Sequence, residues 1–231
     1  KMYEALPEDG SADPEVPQAY ANLAKEVLEQ YSAIQDAGIT LEVVDDSPYN
    51  SSSEMIDAVK SGVLQVQGTD AKTFGDNAAV FEDGTHPMLQ DTGLVDLNGR
   101  PMLVNDVFRG VHDYIAHAAF GSSFGPIGEE SAWRAHLETI KDPLARRAIT
   151  TETRGQNSWV NYSDSFLRDG VPIKKGQPGF VNPVDRPFAT QKYALLPESA
   201  LEQIGTAAET PTTSPETEQP LRDLLDNTVT G

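Results

Sequence analysis

Helical periodicity is the feature of this sequence that most constrains its fold. Between positions 18 and 37 the apolar residues recur at intervals of three and four, which places them on one face of an α-helix. They are Tyr20, Leu23, Ala24, Val27, Leu28, Tyr31 and Ile34. The same spacing returns after Asn105, a residue that caps helices well, in the stripe Val107, Val111, Ile115 and Ala118. The sequence therefore predicts a domain built mainly from amphipathic helices.

Two short segments have the pattern of strands instead. Residues 39–44 (ITLEVV) alternate and are rich in β-branched side chains, and VLQVQ after Gly62 has the same character. A short helix (EMIDAVKSG) lies between them, with Ser52 or Ser53 as its predicted cap. We therefore predict an α+β fold: a mainly helical single domain with a small sheet within residues 39–104. A three-helix core follows within residues 105–154, its second helix running from Glu129 to about Ile140 and its third from Pro143 to near Gly155.

The two ends of the chain differ in composition from the middle. Residues 1–17 contain three prolines and five acids, so we predict an extended acidic arm whose order would need a partner surface. The single domain is predicted over residues 18–204, and the acidic, Pro- and Thr-rich residues 205–231 are predicted to be a disordered or arm-like tail. Lys1 precedes Met2, which fits a processed product, a piece of a longer polypeptide or a tag residue.

The charge balance limits the partners that this chain is expected to bind. Lys and Arg total 17 against 36 Asp and Glu, a formal net charge of -19. Such a negative field repels phosphate backbones and anionic lipids, so we expect neither direct nucleic-acid binding nor membrane binding. The plainest interpretation of the charge is that it keeps a protein soluble. The absence of cysteine excludes disulfides, thiolate metal ligands and a cysteine nucleophile.

Chemically versatile side chains are concentrated in residues 105–159, the signature helical core. This block holds three of the four histidines, both tryptophans and the polar run TTETRGQNSW. On its first helix Arg109, Asp113 and His117 stand four residues apart and are predicted to share one face. His112 lies about 100° round the helix from Asp113. Asp113 is therefore expected to reach its neighbours on both sides.

The second helix of the block brings further candidate ligands. Glu129, Trp133 and His136 share one face, and antiparallel packing through the 121–128 loop would bring the Glu129/Glu130 end near His117. Imidazoles and carboxylates would then converge, which matches the ligand set of zinc, iron or manganese. The predicted metal ligands are His112, His117, Glu130 and His136, with Asp113 or Glu129 as the base. The open alternative is a solvated charge face beside hydrogen-bonded core histidines.

The spacing of the histidines does not match a common peptidase motif. In HDYIAH they stand five apart, whereas H-E-x-x-H places them four apart on one helical face. In the polar run, Glu152 and Arg154 are predicted to be catalytic groups that bind or polarise a substrate. Gln156 and Asn157 are predicted to bind an amide or base edge, together with Trp133. The alternative for this run is a helix end capped by its own side chains.

The chain resembles a poorly characterised protein family met in tailed bacteriophages and related mobile elements. The shared pieces occur in order over about residues 20–200. They are PYNSSSEMIDAV, HPML, NDVFRGVHDYIAH, FGPIGEESAWRAH, PLARRAITTETRGQNSWVNY and ATQKYALLPE. The resemblance implies a phage context, with the virion or the host cytoplasm as location and with other virion proteins or a longer parent polypeptide as partners. It implies no particular activity.

Two hypotheses about function follow. The first is a phage-encoded enzyme for metal-assisted hydrolysis or another acid/base reaction, built on His112, His117, Glu129 and Glu130 and using a divalent metal. The second is a virion structural component without catalysis, such as a capsid-decorating, connector or internal protein, in which the polar block forms a buried core. A homo-oligomer is compatible with either hypothesis.

Overall fold

The computed structural model describes residues 1–70, 73–74, 84–122, 124, 126–181 and 186–202, with 126, 127 and 202 described in the backbone only. The α-helices are α1 Glu15–Asp36, α2 Ser52–Lys60, α3 Val104–His112, α4 Pro126–Thr139, α5 Pro143–Thr150, α6 Gln156–Tyr162 and α7 Ser199–Glu202. A π-helical segment, Asp113–Ala119, continues α3, and a second, Thr151–Gly155, joins α5 to α6. None of the helices in this described part of the chain is both long enough and apolar enough to cross a bilayer.

The strands among the described residues form three separate pairs. They are β1 Thr40–Val44 with β2 Val63–Gln67 in parallel, β3 Asp91–Val95 with β4 Pro101–Leu103 antiparallel, and β5 Leu167–Arg168 with β6 Val171–Pro172 antiparallel. Helix α2 makes the crossover that a parallel pair requires. Leu41 faces Leu64 across the first pair, and both are buried. The mainly helical α+β fold is confirmed, although the small sheet predicted within residues 39–104 is two separate pairs.

The core lies between α1 and the helices of the signature block. Helix α1 packs along α5 and α3, and most of its predicted stripe is buried, with Tyr20, Leu23, Val27 and Tyr31 at 0% exposure. Ala24 and Leu28 are partly buried and pack against the core. The predicted stripe of α3 and its π-helical continuation is buried as well. Each fully buried side chain of this size contributes roughly 1.5–3 kcal/mol relative to exposure. The helical periodicity therefore identified the faces that form the core.

The N-terminal segment lies on the body of the same chain. Tyr3 is buried, and its hydroxyl donates to the carbonyl of Thr190 at 2.8 Å. The amide of Gly10 donates to the carbonyl of Tyr193 at 2.8 Å, and the amide of Tyr193 donates to that of Glu8 at 2.9 Å. The surface that orders this acidic segment is thus residues 190–196. Helix α1 begins at Glu15, so positions 15–17 of the predicted arm are helical, and the predicted tail lies outside the described residues.

Two helix starts differ from the predicted caps. Helix α2 is capped by Ser51, whose Oγ accepts from the amide of Glu54 at 3.3 Å, rather than by Ser52 or Ser53. Helix α3 begins one residue before Asn105, and the carboxylate of Asp106 accepts from the Leu103 amide at 2.9 Å. Asn105 instead points inward and donates to a threonine hydroxyl. Tertiary contacts therefore decided which polar residue near each start became the cap.

The third helix of the core does not end near Gly155 as predicted. Gly155 keeps a helical φ of -61°, and the chain continues through α6 to Tyr162. A Cβ atom at Gly155 would lie 2.7 Å from Cδ2 of Tyr3, closer than side-chain carbons approach. This glycine is required by the packing of the N-terminal segment, not by a helix end. The polar run TTETRGQNSW is consequently helical throughout, with a wider turn at its centre.

Candidate metal centre

The π-helical turn after α3 places His112 and His117 side by side. In an α-helix, residues five apart point about 140° away from each other. A π-helix bonds residue i to i+5, so residues five apart lie above one another. Here the amide of Phe120 donates to the carbonyl of Ile115 at 3.1 Å, and the two imidazole centroids are 5.4 Å apart. The five-residue spacing, which does not fit H-E-x-x-H, is the spacing that this wider turn brings together.

Glu129, in the first turn of α4, completes a group of three ligands. Its Oε1 lies 3.6 Å from Nε2 of His117, and its Oε2 lies 3.9 Å from Nε2 of His112. One ligand atom from each of the three residues lies within 4.8 Å of the other two. Atoms that share one ion at ~2.0–2.2 Å stand roughly 3–4 Å apart. This group could therefore hold a metal ion with only small adjustments.

A backbone carbonyl determines which nitrogen of His117 faces the group. Nδ1 of this buried ring lies 2.9 Å from the carbonyl oxygen of Ser122. A carbonyl only accepts, so Nδ1 carries the hydrogen and Nε2 of the neutral ring keeps its lone pair. That lone pair is directed toward Glu129. Metal-ligating histidines commonly have this second hydrogen bond, which orients the ring.

A longer chain of hydrogen bonds determines which nitrogen of His112 faces the group. Nε2 of Gln30 donates to Oγ1 of Thr139 at 2.9 Å, so Oε1 of Gln30 is the atom that faces Nε2 of His136 at 3.2 Å. Nε2 of His136 therefore carries its hydrogen, and its Nδ1 accepts from Nδ1 of His112 at 3.3 Å. Nε2 of His112 is left with its lone pair in the site. Burial, with His112 nearby, holds the pKa of His136 well below its usual value, which keeps this ring neutral.

Two of the predicted ligands lie outside the group. His136 is fully buried, and both of its ring nitrogens are engaged in the chain just described. The carboxylate of Glu130 pairs with Arg134 at 3.2 Å and with Nε of Arg154 at 2.9 Å. Successive helical residues point about 100° apart, so only one of the two adjacent glutamates faces the histidines. The carboxylate in the group is that of Glu129, which the sequence analysis assigned as a base.

Arg154 and Trp133, predicted as a catalytic and a ligand-binding residue, belong to the packing behind the site. The guanidinium of Arg154 lies 4.4 Å from the ring centroid of Trp133, in addition to its pair with Glu130. Trp133 is 1% exposed, and its Nε1 donates to Oγ1 of Thr150 at 3.0 Å. Arg154 lines a separate cavity of about 300 Å³ under the N-terminal segment. Helix α4 covers this part of the polar run.

A cavity of about 510 Å³ opens beside the metal group. Its wall includes His112, Asp113 and Glu129 at the metal group, and Glu152, Gln156, Asn157 and Gln191 elsewhere. A smaller cavity of about 270 Å³ also borders all three candidate ligands. The predicted ligand-binding residues Gln156 and Asn157 therefore face the same space as two of the candidate metal ligands, His112 and Glu129. This volume is suited to a small molecule or to part of a larger substrate.

Asp113 borders both cavities and stands beside the candidate ligands. Burial raises its pKa above the usual value, although the nearby His117 and His112 act in the opposite direction. Arg109 lies close enough to Asp113 for an electrostatic interaction, and it makes further contacts. The two terminal nitrogens of Arg109 donate to the carbonyls of Gln67 at 2.8 Å and Thr73 at 2.5 Å.

Glu152 lies on the cavity wall in a network that the sequence did not reveal. Burial raises the pKa of its carboxyl to about 7, against donors that favour the charged form. These donors are the hydroxyl of Tyr20 at 2.5 Å and the amides of Gln191 at 2.7 Å and Gln156 at 3.0 Å. The sequence marked Tyr20 only as an apolar position of α1. No pattern in the sequence indicated a role for Gln30 or Gln191 at the site, because each is remote in sequence from the residues that it contacts.

No protein-family model, no curated protein and no solved structure matches this chain. The resemblance to a bacteriophage family therefore stays a prediction. The candidate site consists of His112, His117 and Glu129, the hydrogen bonds that orient the two imidazoles, and the two cavities that border the group.

Proposed function

We propose that this protein is a metal-dependent hydrolase that holds one divalent ion between His112, His117 and Glu129. One observation carries the proposal: two imidazole lone pairs, each oriented by a hydrogen bond on the opposite ring nitrogen, face the same carboxylate at a cavity wall. Two histidines and one carboxylate form a common ligand set of catalytic zinc sites, which leave a coordination position open for water or substrate.

Bound here, the ion would act as a Lewis acid and lower the pKa of a coordinated water. Asp113 borders both cavities beside the ligands and is the carboxylate placed to take a proton from the attacking water. The ring of Phe108 stacks against those of His112 and His136 and forms part of the larger cavity's wall. Elsewhere on that wall, Gln156 and Asn157 offer amide groups that can orient a polar substrate.

The polar side chains on the cavity wall fit an uncharged polar substrate. Arg109 lines this space together with the carboxylates, and the charge of a bound divalent ion would offset theirs. The side-chain amides of Gln156 and Asn157 on the same wall can pair with a carbonyl oxygen or an N–H group of a substrate. Amides and uncharged esters are therefore the substrate classes that this geometry supports.

The same ligands also support a second candidate function. Two histidines and one carboxylate with open positions form the ligand set of iron(II) enzymes that activate dioxygen. Zinc supports hydrolysis alone, while iron(II) permits either chemistry and manganese is compatible with the same nitrogen and oxygen donors. Bound zinc would therefore favour the hydrolase, whereas bound iron(II) would leave both candidates open.

Metal analysis of protein purified without chelator tests the proposal. We expect about one equivalent of a divalent metal, and an increase in thermal stability when zinc, manganese or iron(II) is added to stripped protein. Glu129→Gln should abolish both effects, whereas Glu138→Gln, at an exposed position of the same helix, should leave them unchanged. Wild-type protein that contains no metal and gains no stability from any of the three ions would contradict the proposal.

The virion structural alternative rests on the family resemblance. It predicts that the protein is present in purified phage particles, which mass spectrometry can test directly. Its absence from particles would remove that alternative and leave the enzyme proposal untouched. Its presence would be compatible with an enzyme that is packaged with the genome.

A further inference from the structure

The second π-helical segment faces the same cavity as the first. Asp113 of the Asp113–Ala119 segment and Glu152 of the Thr151–Gly155 segment both line the 510 Å³ cavity. Short π-helical turns are rare and frequently occur at functional sites. Glu152 is 8% exposed, so its carboxyl is withdrawn from bulk solvent but borders the cavity. The wall of the cavity thus has a second acidic position outside the metal group.

The hydrogen bonds of Glu152 divide between its two oxygens. Oε2 accepts from the side-chain amides of Gln191 and Gln156. Oε1 faces the hydroxyl of Tyr20 at 2.5 Å, and this hydroxyl also lies 3.0 Å from the carbonyl oxygen of Lys192. Tyr20 is fully buried. Its hydroxyl is therefore shared between a carboxyl oxygen and a carbonyl oxygen.

This arrangement satisfies both protonation states of the carboxyl. When Glu152 is ionised, the hydroxyl of Tyr20 donates to Oε1. When Glu152 is protonated, its own O–H donates to the oxygen of Tyr20, and the hydrogen of Tyr20 turns to the carbonyl of Lys192. The two amides donate to Oε2 in both states. A proton can therefore enter or leave without leaving a buried polar group unpaired, which would be costly.

The titratable groups packed around this pair keep their protons fixed near neutral pH. Burial and the adjacent Glu152 hold the pKa of Tyr20 well above its usual value, so the phenol stays protonated. The ring of His86 lies 5.4 Å from that of Tyr20, and burial lowers its pKa to about 4, so it stays neutral. Tyr193 and Tyr3 also face Tyr20, and burial raises the pKa of Tyr193. The carboxyl of Glu152 is the member of this cluster that exchanges a proton.

We propose that Glu152, held by Tyr20, is the general acid of this cavity and protonates the leaving nitrogen or oxygen of an amide or ester substrate. The substrate class rests on the proposed metal-dependent hydrolysis; the proton-exchanging pair does not. As the water oxygen bonds to the carbonyl carbon, its proton passes to Asp113. As the bond to the leaving atom breaks, the proton of Glu152 moves to that atom, and Tyr20 turns its hydrogen to the new carboxylate. Transfer of one proton from Asp113 to Glu152 through solvent restores the site, with one water consumed.

Carbon-13 NMR of metal-free protein labelled at the glutamate carboxyl tests the proton site. We expect one carboxyl to titrate with a midpoint of about 7, far from the exposed glutamates. Glu152→Gln should remove this signal, and Glu138→Gln should leave it. Tyr20→Phe should move the midpoint to higher pH, because the charged carboxylate loses a donor. The absence of a carboxyl that titrates near neutral pH, or a midpoint unchanged in Tyr20→Phe, would overturn the proposal.

Chemical modification tests whether the cavity reaches the carboxyl. A water-soluble carbodiimide with glycine amide couples to solvent-accessible carboxyls at mildly acidic pH, and mass spectrometry locates the product. We expect Glu152 to be modified together with exposed carboxyls such as that of Glu138. If Glu152 stays unmodified while the exposed carboxyls react, no substrate can reach it and the acid role is wrong.

Zinc binding separates this proposal from the proposed function. Glu152→Gln should bind zinc as the wild type does, because Glu152 lies outside the ligand group. A normal carboxyl titration in a protein that binds no metal would leave the proton-exchanging pair standing and remove the hydrolase. Zinc binding by a protein in which Glu152 does not titrate would leave the hydrolase standing and remove the proton-exchanging pair.

Discussion

The acceptor atoms beside the two π-helical segments differ in whether their lone pairs are already occupied by hydrogen bonds. At the metal end, the hydrogen bonds of His112 and His117 are made on Nδ1, away from the site, so both Nε2 lone pairs stay open beside Glu129. At the acid end, both oxygens of Glu152 are already occupied by donors. Acceptors with open lone pairs favour the binding of a cation. The donors around Glu152 instead allow its carboxyl to gain or lose a proton. The direction of the supporting hydrogen bonds, more than the residue type, separates the two chemistries.

The largest expected effect is the loss of zinc binding at the metal end. Zinc at about 1,000 times its dissociation constant should stabilise the wild type by about 4 kcal/mol, because it binds the folded state selectively. Glu129→Gln should lose most of this gain, and Glu152→Gln should keep it. Urea unfolding with and without zinc measures the difference. Equal stabilisation of Glu129→Gln and the wild type would place the ion elsewhere.

The next effect concerns the acid end and depends on pH. The folded-state pKa of Glu152 is raised from 4.5 to about 7, so the folded protein holds this proton more tightly than the unfolded chain. The resulting stability is fully present below about pH 4.5 and is lost as the pH rises through about 7. The loss should amount to roughly 3 kcal/mol in the wild type and should be absent from Glu152→Gln. Urea unfolding of the metal-free proteins across this range gives the comparison; parallel curves would contradict the raised pKa.

A third prediction concerns the support of His112. Gln30→Leu removes the acceptor that faces Nε2 of His136 and so frees the orientation of both rings. We expect zinc affinity to fall roughly 10- to 100-fold, as it does when a hydrogen-bonding partner of a ligand is lost. Gln18→Leu, on an exposed face of the same helix, is the matched control. Competition with a chelating dye measures the affinity, and an unchanged value for Gln30→Leu would show that the chain of hydrogen bonds does not orient the ligand.

The smallest effect should appear at the packing behind the site. Arg154→Lys keeps the positive charge but loses the planar group that lies over Trp133 and pairs with Glu130. We expect a loss of about 1 kcal/mol in the stability of the metal-free protein. Zinc affinity should stay within about twofold of the wild-type value. A drop in affinity as large as that of Gln30→Leu would assign Arg154 to the metal end after all.

Much of the helical framework could be predicted from the sequence, because burial of a helical face imposes a spacing on the chain. The stripes of α1 and α3 are local patterns, and both are buried. The convergence of His112 and His117 with the start of α4 also followed from short-range arguments. The sequence did not distinguish Glu129 from Glu130 as the ligand. A shift of one position along the helix exchanges the residue that faces the histidines.

Residue types and helical faces were determined by the sequence alone: which side chains could ligate a metal, which could carry a proton, and which surfaces had to be buried. Tertiary structure decided how those groups are used. The wider turns at Asp113–Ala119 and Thr151–Gly155 have no signature in hydrophobic periodicity. Gln30 and Tyr20 come from a helix about a hundred residues earlier in the chain, and they act only once α1 has packed against the block. Hydrogen bonds between remote segments depend on that packing, and a local pattern does not encode it.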